Sequence, residues 1–211
     1  VDDAVQTCIR DVAKFLRKNN ATVKVNARPG IDSGKAYRNY IQLLRAATVK
    51  RLAPKEFQKN LNALSKLGPR DRSYQAQMIR AQAVYHKDWL HLNEDRHHMR
   101  LAWADFFKNY DLLLCPAAST TAFPHNQKGE RWERMITVNG KPQPSTTQMF
   151  WAGYPCNFYL PSTVAPVGPA ADGLPVGIQI IGPQYGDYTC IQFARLLEQQ
   201  YRGFLQPPGF E

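Results

Sequence analysis

The chain has 211 residues, of which 44% are apolar and 21% are charged, and this is sufficient for one substantial core or two small ones. Its longest apolar runs, such as residues 112–115, are much shorter than the stretch of about 18 residues that a membrane-spanning helix requires, which argues against a membrane protein. The net charge of +10 is uneven, because residues 1–110 carry 21 Lys and Arg against 10 Asp and Glu, whereas residues 111–211 carry 6 against 7.

A helix and a strand are predicted at the start of the chain. Asp2 or Asp3 can cap a helix whose apolar residues recur every three to four positions, and the Asn19-Asn20 pair ends it. Residues 22–25 then alternate apolar and polar side chains, which predicts a short strand. A helix followed so soon by a strand favours an α/β layer over a helical bundle.

Helices are predicted through the rest of the first 110 residues. One runs from 35 to about 51, and the next begins at Pro54 and ends at the Gly-Pro pair of residues 68–69. A long helical region opened by an Asp or Ser follows over residues 71–109. Its apolar residues do not keep a single stripe, so we expect a break near Asn93.

The second half of the chain changes character at residue 111. Residues 111–116 read as a buried strand ended by proline, and residues 117–149 are rich in Pro, Thr, Gly, Asn and Gln. Within that segment the Asn139-Gly140 pair predicts a small hairpin. A connection of this length inside a compact domain is usually functional or mobile.

Two further strands and a helix are predicted at the end of the chain. The strands cover 161–167 and 175–181, and Asp187 is expected to cap a helix with Ile191 and Leu197 facing inward. Gln179 is the one polar side chain in the second strand. Because a buried polar group needs a hydrogen-bond partner, we expect Gln179 to hold a neighbouring loop. A tail is expected at 206–209.

These elements predict an α/β fold in which a mixed β-sheet is flanked by helices. We treat residues 1–211 as one domain, with 1–110 mostly helical and basic and 111–211 holding the strands, the long loop and the final helix. The positive residues of the first part are interleaved with acidic ones along helical faces. This pattern favours a solvated surface over a nucleic-acid site.

The cysteines indicate free thiols in a reducing compartment. Cys8, Cys115, Cys156 and Cys190 are far apart and form no C-x-x-C pair, so we predict a cytoplasmic protein without a zinc site. Cys8 and Cys115 are expected to be buried. The chain begins without Met and without a signal-peptide pattern, and we expect the natural start to lie upstream.

Few residues offer catalytic chemistry by their pattern. Ser119 follows a strand end but has no evident base, and a Cys115 or Cys156 thiol paired with His125 is the best enzyme alternative wholly inside the chain. The histidines between residues 86 and 98 lack the ligand spacing of a metal site. We therefore assign no catalytic residue and no metal ligand.

An aromatic segment is the best candidate for a binding surface. Phe150, Trp151 and Tyr154 lie close together in the sequence, with Gln148 and Asn157 as nearby polar groups. Such a cluster is either core or the wall of an apolar substrate pocket that carries a few convergent polar groups. Gly153 and Pro155 within it favour irregular backbone.

Four motifs of the second half resemble the C-terminal part of amidase signature hydrolases. They are an Asp-apolar strand ending in Pro at 111–116, the Gly-Tyr-Pro of 153–155, the Pro-Val-Gly of 166–168, and the Gly-Leu-Pro-Val-Gly-Ile-Gln of 173–179. The last block is specific. Residues 1–25 are also similar to the helix and strand that follow the catalytic half in this family.

The resemblance implies amide-bond hydrolysis in a complete protein. The family's Ser–Ser–Lys triad comes from a Gly/Ser-rich segment that no residue here matches, so the chain is expected to lack it and to be inactive in isolation. This part would complete the fold and line the pocket for a small-molecule amide. The wall residues implied are Phe150, Trp151, Tyr154, Asn157 and Thr120.

The resemblance also bears on partners and alternatives. It implies that no cofactor is needed and that the missing N-terminal catalytic half is the main partner. It also allows a homo-oligomer. Cys156 is bulkier than the usual small residue, which indicates a modest pocket. The alternative is a noncatalytic subunit or a subunit similar to those of tRNA-dependent amidotransferases, which the basic first half favours.

Overall fold

A computed structural model describes residues 1–207 and 209, which form two compact units. One unit contains residues 1–28 together with the chain from Ala104 onward, and the other contains Pro29–Trp103. The tail expected at 206–209 falls partly on Pro208, which lies outside the described residues. Within the described part, none of the helices has both the length and the apolar character needed to cross a membrane.

The first unit is built on a three-stranded sheet. Its strands are β1 (Leu113–Pro116), β4 (Ser162–Pro169) and β5 (Pro175–Ile181), and β5 lies between the other two. Both pairings are antiparallel, with Leu113 opposite Ile181 on one side and Ser162 opposite Ile181 on the other. The α/β fold and the three strands are therefore confirmed, while parallel strands that would make the sheet mixed stay a prediction.

Two helices pack on this sheet and form the core. They are α1 (Asp3–Lys18) and α7 (Asp187–Gln200). The buried cluster joins α1, the strands and α7. Its most buried members are Val12, Ile178, Ile180 and Cys190, which are fully shielded from solvent.

The ends of these two helices correct part of the sequence prediction. Asp2 is the N-cap of α1, as expected, and its side chain accepts the Ala4 N–H at 3.1 Å. Gly186 occupies the N-cap of α7, so Asp187 lies in the first turn and does not cap the helix. Ile191 points to solvent because Cys190 and Leu197, seven residues apart on one face, are the buried residues of α7.

The long segment after β1 contains ordered elements. The strands β2 (Met135–Val138) and β3 (Lys141–Pro144) form the predicted hairpin. Asn139 and Gly140 both have positive φ, +48° and +73°, as a two-residue hairpin turn requires. Single 3-10 turns flank the hairpin at Arg131–Glu133 and Ser145–Gln148.

The aromatic segment is helical, which corrects the expectation of irregular backbone. It forms α6 (Met149–Cys156) despite Gly153 and Pro155. Pro155 stands near the C-terminal end of this eight-residue helix, and Gly153 is buried, so close packing compensates for the low helix propensity of glycine.

The second unit is helical. Its elements are α2 (Ser33–Thr48), α3 (Pro54–Leu64), α4 (Tyr74–Gln82) and α5 (His86–Phe106), with a 3-10 turn at Val49–Arg51. Asp32 caps α2 and Ser73 caps α4, each through a side-chain oxygen. Helix α4 contacts both α2 and α3.

Two predictions in the first 110 residues are wrong. Residues 22–25 form no strand, since they follow the end of α1 as irregular backbone and Val25 is 56% exposed. The break in the long helical region falls at residues 83–85 and not at Asn93. Asn93 lies inside α5, where its side chain accepts a hydrogen bond from Arg96 one turn later.

Candidate substrate-pocket wall

The loop that follows β1 is fixed by main-chain hydrogen bonds. The N–H of Ser119 donates to Oε1 of Gln148 at 2.8 Å, and the C=O of Ser119 accepts the N–H of Asp2 at 2.7 Å. Nε2 of Gln148 donates in turn to Oγ1 of Thr120 at 3.3 Å. Gln148 therefore joins this loop to the start of α6.

Helix α6 carries two partly exposed aromatic rings shortly after Gln148. Phe150 and Trp151 meet edge to face with ring centroids 4.9 Å apart. Phe150 also stacks on Tyr154 at 5.3 Å between centroids. Aromatic pairs of this geometry hold one another in place, so the rings form a connected surface.

The five residues predicted for the pocket wall fall into two groups. Phe150, Trp151 and Thr120 are partly exposed. Tyr154 and Asn157 are 7% and 5% exposed, respectively, so they belong to the core within the described chain. Gln148, predicted as a convergent polar group of such a pocket, holds Thr120 of the loop after β1 and lies directly before α6.

The buried surroundings of Tyr154 also include Cys115. Burial, followed by the nearby Cys115 thiol, raises the pKa of Tyr154 to about 12. Burial raises the pKa of Cys115 to about 12 as well, although the charge of Arg28 acts in the opposite direction. Both groups are therefore neutral at physiological pH.

Gln179 has the hydrogen-bond partner that its burial requires, but the partner is not a loop. Sγ of Cys115, on the neighbouring strand β1, donates to Oε1 of Gln179 at 3.3 Å. The two residues are directly opposite in the antiparallel register, where side chains come within contact. The pairing of β1 with β5 identifies Cys115 as this partner, whereas the sequence around Gln179 does not.

The alternative nucleophiles lie in unfavourable environments. The thiolate is the reactive form of cysteine, and Cys115 is buried with a raised pKa. The Ser119 hydroxyl is buried, without a hydrogen-bond partner among the described residues. His125 is exposed. The environments of Cys115 and Ser119 therefore do not activate a nucleophile, whereas Cys156 is exposed and its pairing with His125 stays a prediction.

No group of three or more His, Cys, Asp or Glu side chains that could hold a metal ion occurs within residues 1–207 and 209. The four histidines at 86, 91, 97 and 98 all lie on α5 and are exposed.

A further feature of the site was not visible in the sequence. The turn of the β2–β3 hairpin lies against the first residues of α1, with the N–H of Asn139 donating to Oδ2 of Asp2 at 2.9 Å. The two residues are 137 positions apart. No local pattern could have joined them.

Comparisons with known proteins agree on one family. The family model described as Amidase matches residues 1–191. The chain is 32% identical over 110 residues to a glutamyl-tRNA(Gln) amidotransferase subunit from Exiguobacterium sp., a match that covers 52% of this chain and 20% of that protein.

Solved structures share the fold at low sequence identity. A 6-aminohexanoate cyclic dimer hydrolase is similar over 100% of this chain and 44% of its own, with a TM-score of 0.68 and 17% identity. A glutamyl-tRNA(Gln) amidotransferase subunit from Thermotoga maritima is similar over 100% of this chain and 43% of its own, with a TM-score of 0.60 and 17% identity. The chain therefore spans less than half of each solved structure.

Proposed function

The chain belongs to the amidase family, and from that membership we propose that it forms the substrate-lining, C-terminal part of an amide-cleaving enzyme. The reactive Ser–Ser–Lys triad would lie outside residues 1–211. The substrate would be a small-molecule amide, and no cofactor is required by this chemistry.

One observation carries the proposal. Gln148, directly before helix α6, holds Thr120 of the loop after β1, and α6 carries the partly exposed rings of Phe150 and Trp151. Substrate pockets are mostly apolar surfaces with a few fixed polar groups, and this arrangement supplies both. The buried Tyr154 and Asn157 would support the wall from behind.

The chemical division of labour follows from this placement. A serine of the other half would attack the amide carbonyl, while a second serine and the lysine relay its proton. The residues of this chain would hold the acyl or leaving group beside that serine and limit its size. Positioning of this kind lowers the barrier because the reacting atoms are already oriented.

The sheet of the first unit offers a place for the other half to attach. Within the described residues, β1 and β4 each pair on one side only, with β5. Such edges present unpaired N–H and C=O groups that favour pairing with further strands. We expect the N-terminal half to add strands there. A cytoplasmic location and a homo-oligomer are also expected.

The wall is tested by substitution of Trp151 in the natural protein that carries this chain. Trp151→Ala removes an aromatic surface worth about 1.5 kcal/mol or more, so kcat/KM for a matched amide should fall about tenfold or more. The control is Tyr188→Ala, which removes a ring that is 73% exposed on α7. Equal kinetics of the two variants would contradict the proposal.

A second candidate function is an amidotransferase subunit that contacts RNA. The Exiguobacterium relative is a glutamyl-tRNA(Gln) amidotransferase subunit. Residues 29–103 carry 14 Lys and Arg against six Asp and Glu. A shallow depression along α3 and the turn that follows it is lined by Lys55, Lys59 and Lys66, and none of the three forms an ion pair within the described residues.

This alternative makes a distinct prediction about salt. The natural protein should bind unfractionated tRNA with an affinity that falls steeply as KCl rises. Replacing Lys55, Lys59 and Lys66 by Gln should flatten that dependence by about 2 in log–log slope. The control replaces the exposed Lys24, Lys87 and Lys128 by Gln. If the natural protein shows no salt-dependent binding of tRNA, the amidotransferase alternative is rejected and the hydrolase proposal remains.

A further inference from the structure

The hairpin turn and the start of α1 are joined by reciprocal hydrogen bonds. The N–H of Asp3 donates to Oδ1 of Asn139 at 2.8 Å, and Nδ2 of Asn139 donates to Oδ1 of Asp3 at 3.2 Å. The N–H of Asn139 donates to Oδ2 of Asp2 at 2.9 Å. We call these three residues, Asp2, Asp3 and Asn139, the hairpin clamp.

Asn139 is suited to this contact in two ways. Its φ of +48° lies in the left-handed region, which asparagine tolerates better than most residues. Its amide also supplies both an acceptor and a donor, and the clamp uses each of them. One residue therefore forms the turn and makes the long-range contact.

The clamp continues into the loop that precedes the aromatic wall. The N–H of Asp2 donates to the C=O of Ser119 at 2.7 Å. The N–H of Ser119 donates to Gln148, which holds Thr120. A single chain of hydrogen bonds thus runs from the hairpin turn through Asp2 and Ser119 to Gln148 and Thr120.

Much of the segment between Ser119 and Asn139 has few stabilising contacts with the rest of the unit. Residues 122–130 are exposed along their whole length, and the hydrogen bonds donated by Lys128, Glu130 and the Arg134 side chain go to residues within seven positions. Ser119 and Asn139 are the points at which the 117–149 segment is hydrogen-bonded to the start of α1, while Ile136 and Val138 of the hairpin are buried.

We infer that Asp2 and Asn139 are positioning residues for the substrate-pocket wall. Their role is indirect: Asn139 holds Asp2, Asp2 holds Ser119, and Ser119 bonds to Gln148, which holds Thr120 directly before helix α6. This inference rests on the proposed amide-cleaving function, because it assigns the clamp a role in that pocket.

The test uses the natural protein with Asn139→Gly. Glycine keeps the left-handed turn, since a Gly-Gly pair is a favoured hairpin turn, and removes only the side-chain contacts. The matched control is Asn126→Gly, an exposed residue of the same segment whose side chain accepts only the N–H of Lys128. Both variants should therefore remain folded.

Two measurements decide the inference. Hydrogen exchange in peptides covering residues 117–121 should speed up about fivefold or more in Asn139→Gly, as loss of the two exposed side-chain hydrogen bonds to Asp3 predicts, and should not change in Asn126→Gly. With a small amide substrate, KM should rise about fivefold while kcat stays within about twofold. A purely structural role would lower stability without separating KM from kcat.

A double-substitution cycle adds a readout of coupling. Asp2→Ser keeps an N-cap oxygen for Ala4 but loses the acceptor of the Asn139 N–H. Its effect on KM should be smaller when Asn139→Gly is already present, because the two residues act through one network, although the N–H of residue 139 remains available to Asp2 in that variant. Additive effects would overturn the inference.

The remaining outcomes separate this inference from the proposed function. Unchanged exchange at 117–121 in Asn139→Gly overturns the clamp's role, whatever the activity. Faster exchange with unchanged KM shows that the clamp orders the loop without setting the wall, which also overturns it. If the natural protein cleaves no amide, the proposed function is contradicted, and the clamp then has no role in catalysis. The exchange measurement would still show whether the hairpin clamp holds the loop at residues 117–121.

Discussion

Cys115 and Gln179 show at the residue scale what sequence could and could not provide. The burial of Cys115 and the need of Gln179 for a partner follow from their strand patterns. That they satisfy one another at 3.3 Å follows only from the β1–β5 register. The local sequence pattern predicts that a buried polar residue needs a hydrogen-bond partner. The pairing of strands that are distant in sequence determines which group that partner is.

The environment of Cys115 predicts a protected thiol. Because burial raises its pKa to about 12, Cys115 should react with iodoacetamide far more slowly in the native natural protein than after unfolding in urea. Mass spectrometry of the digested protein measures the modification, with the exposed Cys156 as internal reference. Rapid native modification of Cys115 would instead support a cysteine hydrolase.

The same contrast between local and distant information holds for whole elements. The hairpin at Asn139-Gly140 and the strands β4 and β5 were predictable because turn residues and β-branched runs act locally. The helical state of α6 was not, since Gly153 and Pro155 oppose it locally and packing overrides them. The misplaced strand at 22–25 had the right alternation, but strand formation also requires a partner.

The cap of α1 predicts an effect of acid on stability. The N–H groups of Asn139 and Ala4 donate to Asp2 and lower the pKa of its carboxyl group. This stabilisation is complete above the unfolded-state pKa of about 3.9 and is lost as pH falls through the lower folded-state value. Urea midpoints should therefore show Asp2→Asn destabilised at pH 7 and nearly equal to wild type well below pH 3.

A control on the same helix makes this prediction specific. Asp11 is an exposed carboxylate that pairs with Lys14 at 2.8 Å, and exposed pairs of this kind contribute about 0–1 kcal/mol. Asp11→Asn should have a small effect at pH 7. An equal pH dependence for the two variants would assign the effect to general charge and not to the hairpin clamp.

The link between β5 and α7 predicts a packing effect. A Cβ added at Gly182 would lie 2.7 Å from Sγ of Cys190, and Cys190 is fully buried. Gly182→Ala should therefore reduce the free energy of unfolding by about 1–3 kcal/mol.

The compensating variant tests the cause. Adding Cys190→Ala removes the clashing sulfur, so the double variant should regain part of the loss. Gly30→Ala serves as control, because nothing lies within 4 Å of a Cβ at that position. If the double variant is simply the sum of two losses, the clash is not the cause.

At the scale of the whole molecule, the family explains features that the chain alone leaves open. The amidase family model matches residues 1–191. The chain nevertheless spans only 44% of the 6-aminohexanoate cyclic dimer hydrolase structure to which it is similar. Within the described residues, β1 and β4 lie at the edges of the sheet, as is expected for one part of a larger amidase. We propose that this chain supplies binding and positioning and that bond cleavage belongs to residues outside it.

The most direct test of this division is the position of the reactive serine. The natural protein is treated with a fluorophosphonate, which modifies an activated serine covalently, and the modified peptide is identified by mass spectrometry. We expect a single modified serine outside these 211 residues and loss of amide hydrolysis in proportion to labelling. Modification of Ser119, or of any other serine within the chain, would contradict the account.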